Sequence, residues 1–279
     1  MKEEIFFDNS ALSRLVEETD FDRHALIAGL RTIGVLRVSS LNVLETARTF
    51  DVPLRLRKLR IYKEITGNVA PMNPPADLLA MIARAHHEGS PSISTGDQYL
   101  YNLLVNPELA SDDLQKALTE HASDQEKRFK EIHQNMRERF SVVFKGPDER
   151  FESEDAFLDF TFENAQQTLA GLVGGFYYDA TNATLKPFDV PKYLDDHAPM
   201  KTFVAAHLHA LWTRSVSEKG PGKKKAGIVD TDSAAYLNLC DRFITNDKPQ
   251  LKTLLVANRF NPRETKIELY SDLCSRWLL

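Results

Sequence analysis

Cysteine is scarce. Cys240 and Cys274 are the only two in 279 residues, too few for a disulfide framework or a thiolate zinc site, so both read as small buried hydrophobes. Long apolar runs are missing too. The most apolar stretch, Thr168 to Tyr178, spans 11 residues and contains Gly171, Gly174 and Gly175, which is too short and too glycine-rich to cross a bilayer. Those glycines do not form the G-x-G-x-x-G pattern, so close helix packing is the reading given to them. No apolar run of signal-peptide length precedes Asp8. A basic excess is lacking as well: 35 Lys and Arg against 40 Asp and Glu leave a net charge of −5. That excludes a globally basic nucleic-acid coat but leaves room for local basic patches. His86-His87 and His207-x-His209 lack the i, i+4 spacing of a helical zinc pair and read as surface or packing residues. What is present is ordinary for a globular protein, 42% hydrophobic and 27% charged, and a chain this long needs no covalent staple. The expectation is a soluble, cytoplasmic protein without a membrane partner, its oligomeric state open.

The two ends alternate between strand and helix patterns. Ile5-Phe6-Phe7 is a short apolar strand candidate ending at Asp8, and Leu12, Leu15 and Val16 carry helical spacing after it. A second helix over Phe21 to Leu30 stops at Gly34, and Val35 to Ser39 is the next strand. Leu41 to Phe50 reads as a helix. Such alternation predicts parallel strands with crossover helices. After Pro53 the pattern is helical for a long way: Asp77 to Glu88, Gly96 to Asn106, Ser111 to Phe140, Glu152 to Tyr178 and Leu194 to Val216. Lys219 to Gly227, rich in Gly and Lys, reads as a mobile basic loop. The α/β pattern then returns, with a helix over Asp230 to Asp241, strands at Arg242 to Thr245 and Lys266 to Tyr270, and helices at Lys252 to Ala257 and after Ser271. The organisation expected is an α/β core from residues 1–52 and 226–279, with a small parallel sheet flanked by helices. A large α-helical insertion, 53–225, interrupts it.

In open parallel sheets the working groups gather outside the C-terminal ends of the strands. Asp8 ends the first strand and Asp247 follows the late one; Asp230 opens the helix before that strand, and Glu45 lies in the helix after the second. Each alone has a bland reading, as a helix cap, a solvated helix residue or a turn former. Together they form an acidic cluster whose members raise one another's pKa values unless a hard cation intervenes. Mg²⁺ or Mn²⁺ prefers such oxygen ligands, and one or two ions can generate a nucleophile and stabilise a phosphoryl transition state.

The segments Ile5-Phe-Phe-Asp-Asn-Ser-Ala-Leu12, Ser40-Leu-Asn-Val-Leu-Glu-Thr46 and Leu239-Cys-Asp-Arg-Phe-Ile-Thr-Asn-Asp247 resemble the PIN-like nuclease domain, the last most like its larger bacterial members. The resemblance covers residues 3–50 and 226–279. It implies a Mg²⁺- or Mn²⁺-dependent endoribonuclease whose metal-holding and catalytic acids fall on Asp8, Glu45, Asp230 and Asp247. Asn9, Ser10 and Thr245 would orient those carboxylates. Two departures stand out. Glu45 and Asp230 are 185 positions apart, far more than a minimal domain of this kind requires. Asp232 also competes with Asp230 for the third acid, and Asp241 is either a fifth acid or a turn former. The implied partner is RNA, with an antitoxin-like inhibitor protein as a further possibility. The rival reading is a catalytically silent module of the same kind binding RNA or a protein. A haloacid-dehalogenase-type phosphatase fits less well, because Asp8-Asn9-Ser10 lacks the required Asp-x-Asp.

Two basic clusters flank the acids in sequence. Arg55, Arg57, Lys58, Arg60 and Lys63 put five cations into nine residues, able either to track a phosphate backbone or to form a solvated helix face above inward leucines. Tyr62, within that run, reads as a core aromatic. Lys223, Lys224 and Lys225 precede Asp230 closely and read as either a substrate-capturing loop or a plain linker.

Overall fold

Phe6 faces one side of the central strand, and Ile5 and Phe7 face the other. That alternation organises the whole molecule, because successive side chains on a strand point to opposite faces. The computed structural model describes residues 2–90, 96–120, 123–124, 127, 151–216 and 228–277. Strand β1 (Glu3–Phe7) pairs in parallel with β2 (Gly34–Arg37) on one side and β3 (Arg242–Thr245) on the other, and β4 (Lys266–Leu269) extends the sheet beyond β3. The order is β2-β1-β3-β4. Both faces are covered, which explains why β1 and β3 read as apolar runs rather than as alternating half-buried strands. Gly34 opens β2 because a Cβ there would lie 2.6 Å from Glu3 O and 2.7 Å from the Ile5 side chain.

One face of the sheet, through Phe6 and Phe243, belongs to a core shared with α5 (Pro75–Glu88), α7 (Glu154–Asn164), α8 (Gln166–Thr181), α9 (Val190–Asp196), α10 (Ala198–Val216) and α12 (Lys248–Asn258). The other face, through Ile5, Phe7, Leu36 and Ile244, packs with α1 (Asn9–Glu17), α2 (Asp20–Ile33), α3 (Ser40–Ala47), α4 (Val52–Thr66), α6 (Gln98–Val105) and α13 (Tyr270–Trp277). The helical middle of the chain therefore shares both cores with the strands. Helix α10 is apolar nearly all round, with Met200, Phe203 to Ala206, Leu208 and Leu211 buried, as a helix enclosed on every side must be. Among the described residues no helix is long and apolar enough to cross a membrane.

Several boundaries differ from the sequence reading. Glu152–Tyr178 is two helices, α7 and α8, meeting at Ala165. Leu194–Val216 is also interrupted, at His197, whose φ of −130° and ψ of 77° lie outside the helical region, and Pro199 just beyond it has no amide to continue the hydrogen-bond ladder. The helix expected over Asp230–Asp241 is a short α11 (Ile228–Asp232) followed by a 3₁₀ run, Ser233–Leu239. Tertiary contacts override helical propensity there: Thr202 Oγ1 lies 2.8 Å from Ala234 O, and Tyr236 donates its hydroxyl to Asn73 O at 2.7 Å. Gly174 and Gly175 are not the close-packing residues expected, since a Cβ on either would meet nothing within 4 Å; nothing in the structure explains them. The expected helix Ser111–Phe140 is helical over 112–120 and then passes largely outside the described residues, where the basic loop Lys219–Gly227 also lies.

Candidate acidic site at the strand ends

The sheet order places a switch point between β1 and β3, the pair from which the chain proceeds in opposite directions. Crevices form there in open parallel sheets. A cleft at that edge is lined by Asp8, Glu45, Asp230 and Asp247, with Ser10, Ser13, Ser39, Asn42, Ser233 and Gln250 among its other walls. The four acids singled out in the sequence thus arrive from four separate elements.

Local rules explain how each is placed. Asp8 is the N-cap of α1 and accepts the Ala11 amide at 2.7 Å through Oδ1. Asp247 caps α12 in the same way, accepting Gln250 N at 2.8 Å. Serving as a cap does not take either carboxylate out of the cleft wall. Ser39 caps α3 in a box with Asn42, the Ser39 amide donating to Asn42 Oδ1 at 2.7 Å, and this fixes the helix that carries Glu45. Asp230 sits in the first turn of α11, its backbone carbonyl accepting the Ser233 hydroxyl at 2.6 Å.

Asp8 is held from several sides. Thr245 Oγ1 lies 2.7 Å from its Oδ2, and Ser10 Oγ lies 2.9 Å from Oδ1 and 3.0 Å from Oδ2. Ser10 also accepts the Asn246 amide at 2.7 Å, which ties the end of β3 to the start of α1. Asn9 does something else: its Oδ1 accepts the Tyr62 hydroxyl at 3.1 Å, and Thr46 donates to the same hydroxyl at 3.0 Å. Tyr62 is a core aromatic, as expected. Gln250 and Ser233 had no signal in the sequence. Thr245 Oγ1 is 2.7 Å from Gln250 Oε1, and Gln250 Nε2 donates to Ser233 Oγ at 3.0 Å, so a polar chain runs from Asp8 to α11.

Electrostatics mark the same place. Burial, reinforced by the Asp230 charge, pushes Asp8 up to about 7 despite its hydrogen bonds from Ala11, Thr245 and Ser10. Burial also raises Glu45 to about 7, with the Asp230 and Asp8 charges adding and Arg48 and Lys58 opposing. No ion pair reaches Asp8 or Glu45 among the described residues. Four carboxylates and several hydroxyls on the cleft wall are the oxygen donors that a hard divalent cation prefers. Among the described residues, however, no three or more His, Cys, Asp or Glu side chains are placed to hold one ion together.

The remaining candidates fall elsewhere. Asp232 pairs with His207 Nε2 at 2.9 Å and is not part of the cleft wall. Asp241 is a correction to the fifth-acid alternative. It precedes β3, accepts the Glu4 amide at 2.8 Å and pairs with Arg263, at the opposite edge of the sheet. His207 and His209 are buried packing residues, the latter bonded to Glu154. Lys223, Lys224 and Lys225 lie outside the described residues. Comparison with the known protein families, with curated proteins and with solved structures returns no match.

Proposed function

We propose that the chain is a divalent-cation-dependent endoribonuclease with a PIN-like α/β core. The observation that carries this reading is the arrival of Asp8, Glu45, Asp230 and Asp247 in one cleft at the switch point of a parallel sheet. Buried carboxylates that must ionise beside one another call for a positive charge between them. Those four residues would hold Mg²⁺ or Mn²⁺, in part through water, since Mg²⁺ keeps several of its waters. Bound there, the ion would activate water and offset charge developing on the phosphate. Ser10 and Thr245 keep the Asp8 carboxylate in one orientation, and the helix caps hold Asp8 and Asp247 at fixed positions on the strand ends. RNA as substrate rests on the resemblance of the three sequence segments.

The rival is a catalytically silent module that binds RNA or a partner protein, and it is favoured by the spacing of the acids, since among the described residues no three are placed to grip one ion. The two readings part in one experiment. A labelled single-stranded RNA is incubated with the protein in Mg²⁺, in Mn²⁺ and in chelator. Internal cleavage that needs the cation, with Mn²⁺ effective at the lower concentration, supports the nuclease. Intact RNA under all three conditions, with a protein that nonetheless binds it, overturns the nuclease reading in favour of the silent module.

A further inference from the structure

Helix α4 carries five cations, and four of them are engaged away from the cleft. Arg55 is 2% exposed and donates to Thr49 O and Asp112. Arg60 pairs with Glu108 at 3.0 Å, Arg57 reaches Val16 O at 3.4 Å, and Lys63 bonds Gly67 O and the Tyr101 hydroxyl. Neither reading of the run as a uniform strip is therefore apt. Lys58 stands apart. Its one polar contact among the described residues is the Ser13 hydroxyl, 3.5 Å away, and Ser13 lines the acidic cleft. Arg48 lies one helical turn beyond Glu45. Its buried Nε has no hydrogen-bond partner, and its guanidinium makes no ion pair among the described residues. Both charges favour the ionised form of Glu45 without touching it.

Two cations beside a cluster of acids, yet bonded to none of them, suit a ligand that is itself anionic. A phosphodiester strand has that character, with one negative charge per nucleotide. A carboxylate engaged with a metal ion is no longer free to pair with a lysine, so the cations remain available to phosphate. Lysine offers a mobile point charge on a flexible stem, and arginine a planar fork matched to phosphate oxygens.

We propose that Lys58 and Arg48 form the phosphate-holding flank of the cleft, binding the RNA backbone on the side of Glu45 and Ser13. This rests on the nuclease reading for the identity of the strand. The test is binding of a short fluorescent single-stranded RNA in Ca²⁺ buffer across a salt series, beside cleavage in Mn²⁺. Lys58→Gln and Arg48→Gln should each weaken binding roughly three- to tenfold and reduce the slope of log affinity against log salt by about 0.7. Arg48→Lys, which keeps the charge, should retain the slope, and Arg60→Gln, paired elsewhere on the same helix, should change neither quantity. Wild-type affinity and slope in both Gln variants would overturn the proposal while leaving metal-dependent cleavage intact. Binding that depends on Lys58 and Arg48 without any cleavage would uphold the flank and overturn the nuclease. A wild-type protein that neither binds nor cleaves RNA would overturn both.

Discussion

Asp8→Asn should lower metal-dependent RNA cleavage by about two to three orders of magnitude, the range typical when a preorganised charge is removed from a reaction centre. It should do so without unfolding the protein. The asparagine Oδ1 can still accept the Ala11 amide that caps α1, and the Thr245 hydroxyl can turn to accept from the new amide. Stability in metal-free buffer at pH 8 should even rise. The wild-type carboxylate must ionise in a buried place where burial and the Asp230 charge oppose it, and the neutral amide escapes that cost. Loss of activity together with a higher melting temperature is the signature of a site residue whose charge the fold does not want. Full activity in a well-folded Asp8→Asn protein would contradict the mechanism, and a sharp fall in melting temperature would show that Asp8 serves chiefly as a structural cap.

The second large effect is on the pH dependence of stability. Asp8 and Glu45 titrate near 4 in an unfolded chain and near 7 in the folded one. Between those values the folded state keeps protons that the unfolded state has released. Stability contributed by the protonated pair is thus fully present below about pH 4, declines as pH rises, and is gone above about pH 7. For Asp8 alone, a displacement from 3.8 to about 7 corresponds to roughly 4 kcal/mol. Urea midpoints in chelator, measured from pH 5 to pH 8 for wild type, Asp8→Asn and Glu45→Gln, isolate this contribution. The wild-type curve should fall relative to either variant as pH rises, and saturating Mn²⁺ should flatten it by stabilising the ionised folded state. Parallel curves for all three proteins would mean that these carboxylates ionise at ordinary values.

Strand ends were the most legible part of the chain. Arg242–Thr245 reads as a buried strand around Phe243 and Ile244, and it is β3 with the same limits. Ile5-Phe6-Phe7 lies within β1, and the strand–helix alternation at the two termini anticipates the parallel sheet. The positions of Asp8 and Asp247 follow, because a residue just past a parallel strand has little choice of edge. What the sequence hid was set by contacts between distant residues. Arg55 sits in an apparently solvated basic run, yet it is buried against Asp112, 57 positions away. Gln250 looks like any polar residue in the first turn of a helix, and its link to Thr245 and Ser233 appears only when the 3₁₀ run after α11 is brought against α12. The division of the helical middle between two sheet faces is also invisible in one dimension, since α4 and α5 are neighbours in sequence and pack on opposite sides. Asp241 illustrates the reverse hazard: it is close to Asp247 in sequence, but the length of β3 carries it to the far edge of the sheet.

The four acids should take up a divalent cation together, and calorimetric titration with Mn²⁺ reads that uptake itself. At pH 7, where Asp8 and Glu45 stand near their midpoints, binding should be saturable. It should release on the order of one proton, seen as a heat that varies with the ionisation enthalpy of the buffer. Glu45→Gln should weaken the binding and diminish the proton release. The absence of saturable heat up to millimolar Mn²⁺, a rough ceiling for weak carboxylate sites, or binding that Glu45→Gln leaves untouched, would contradict the account.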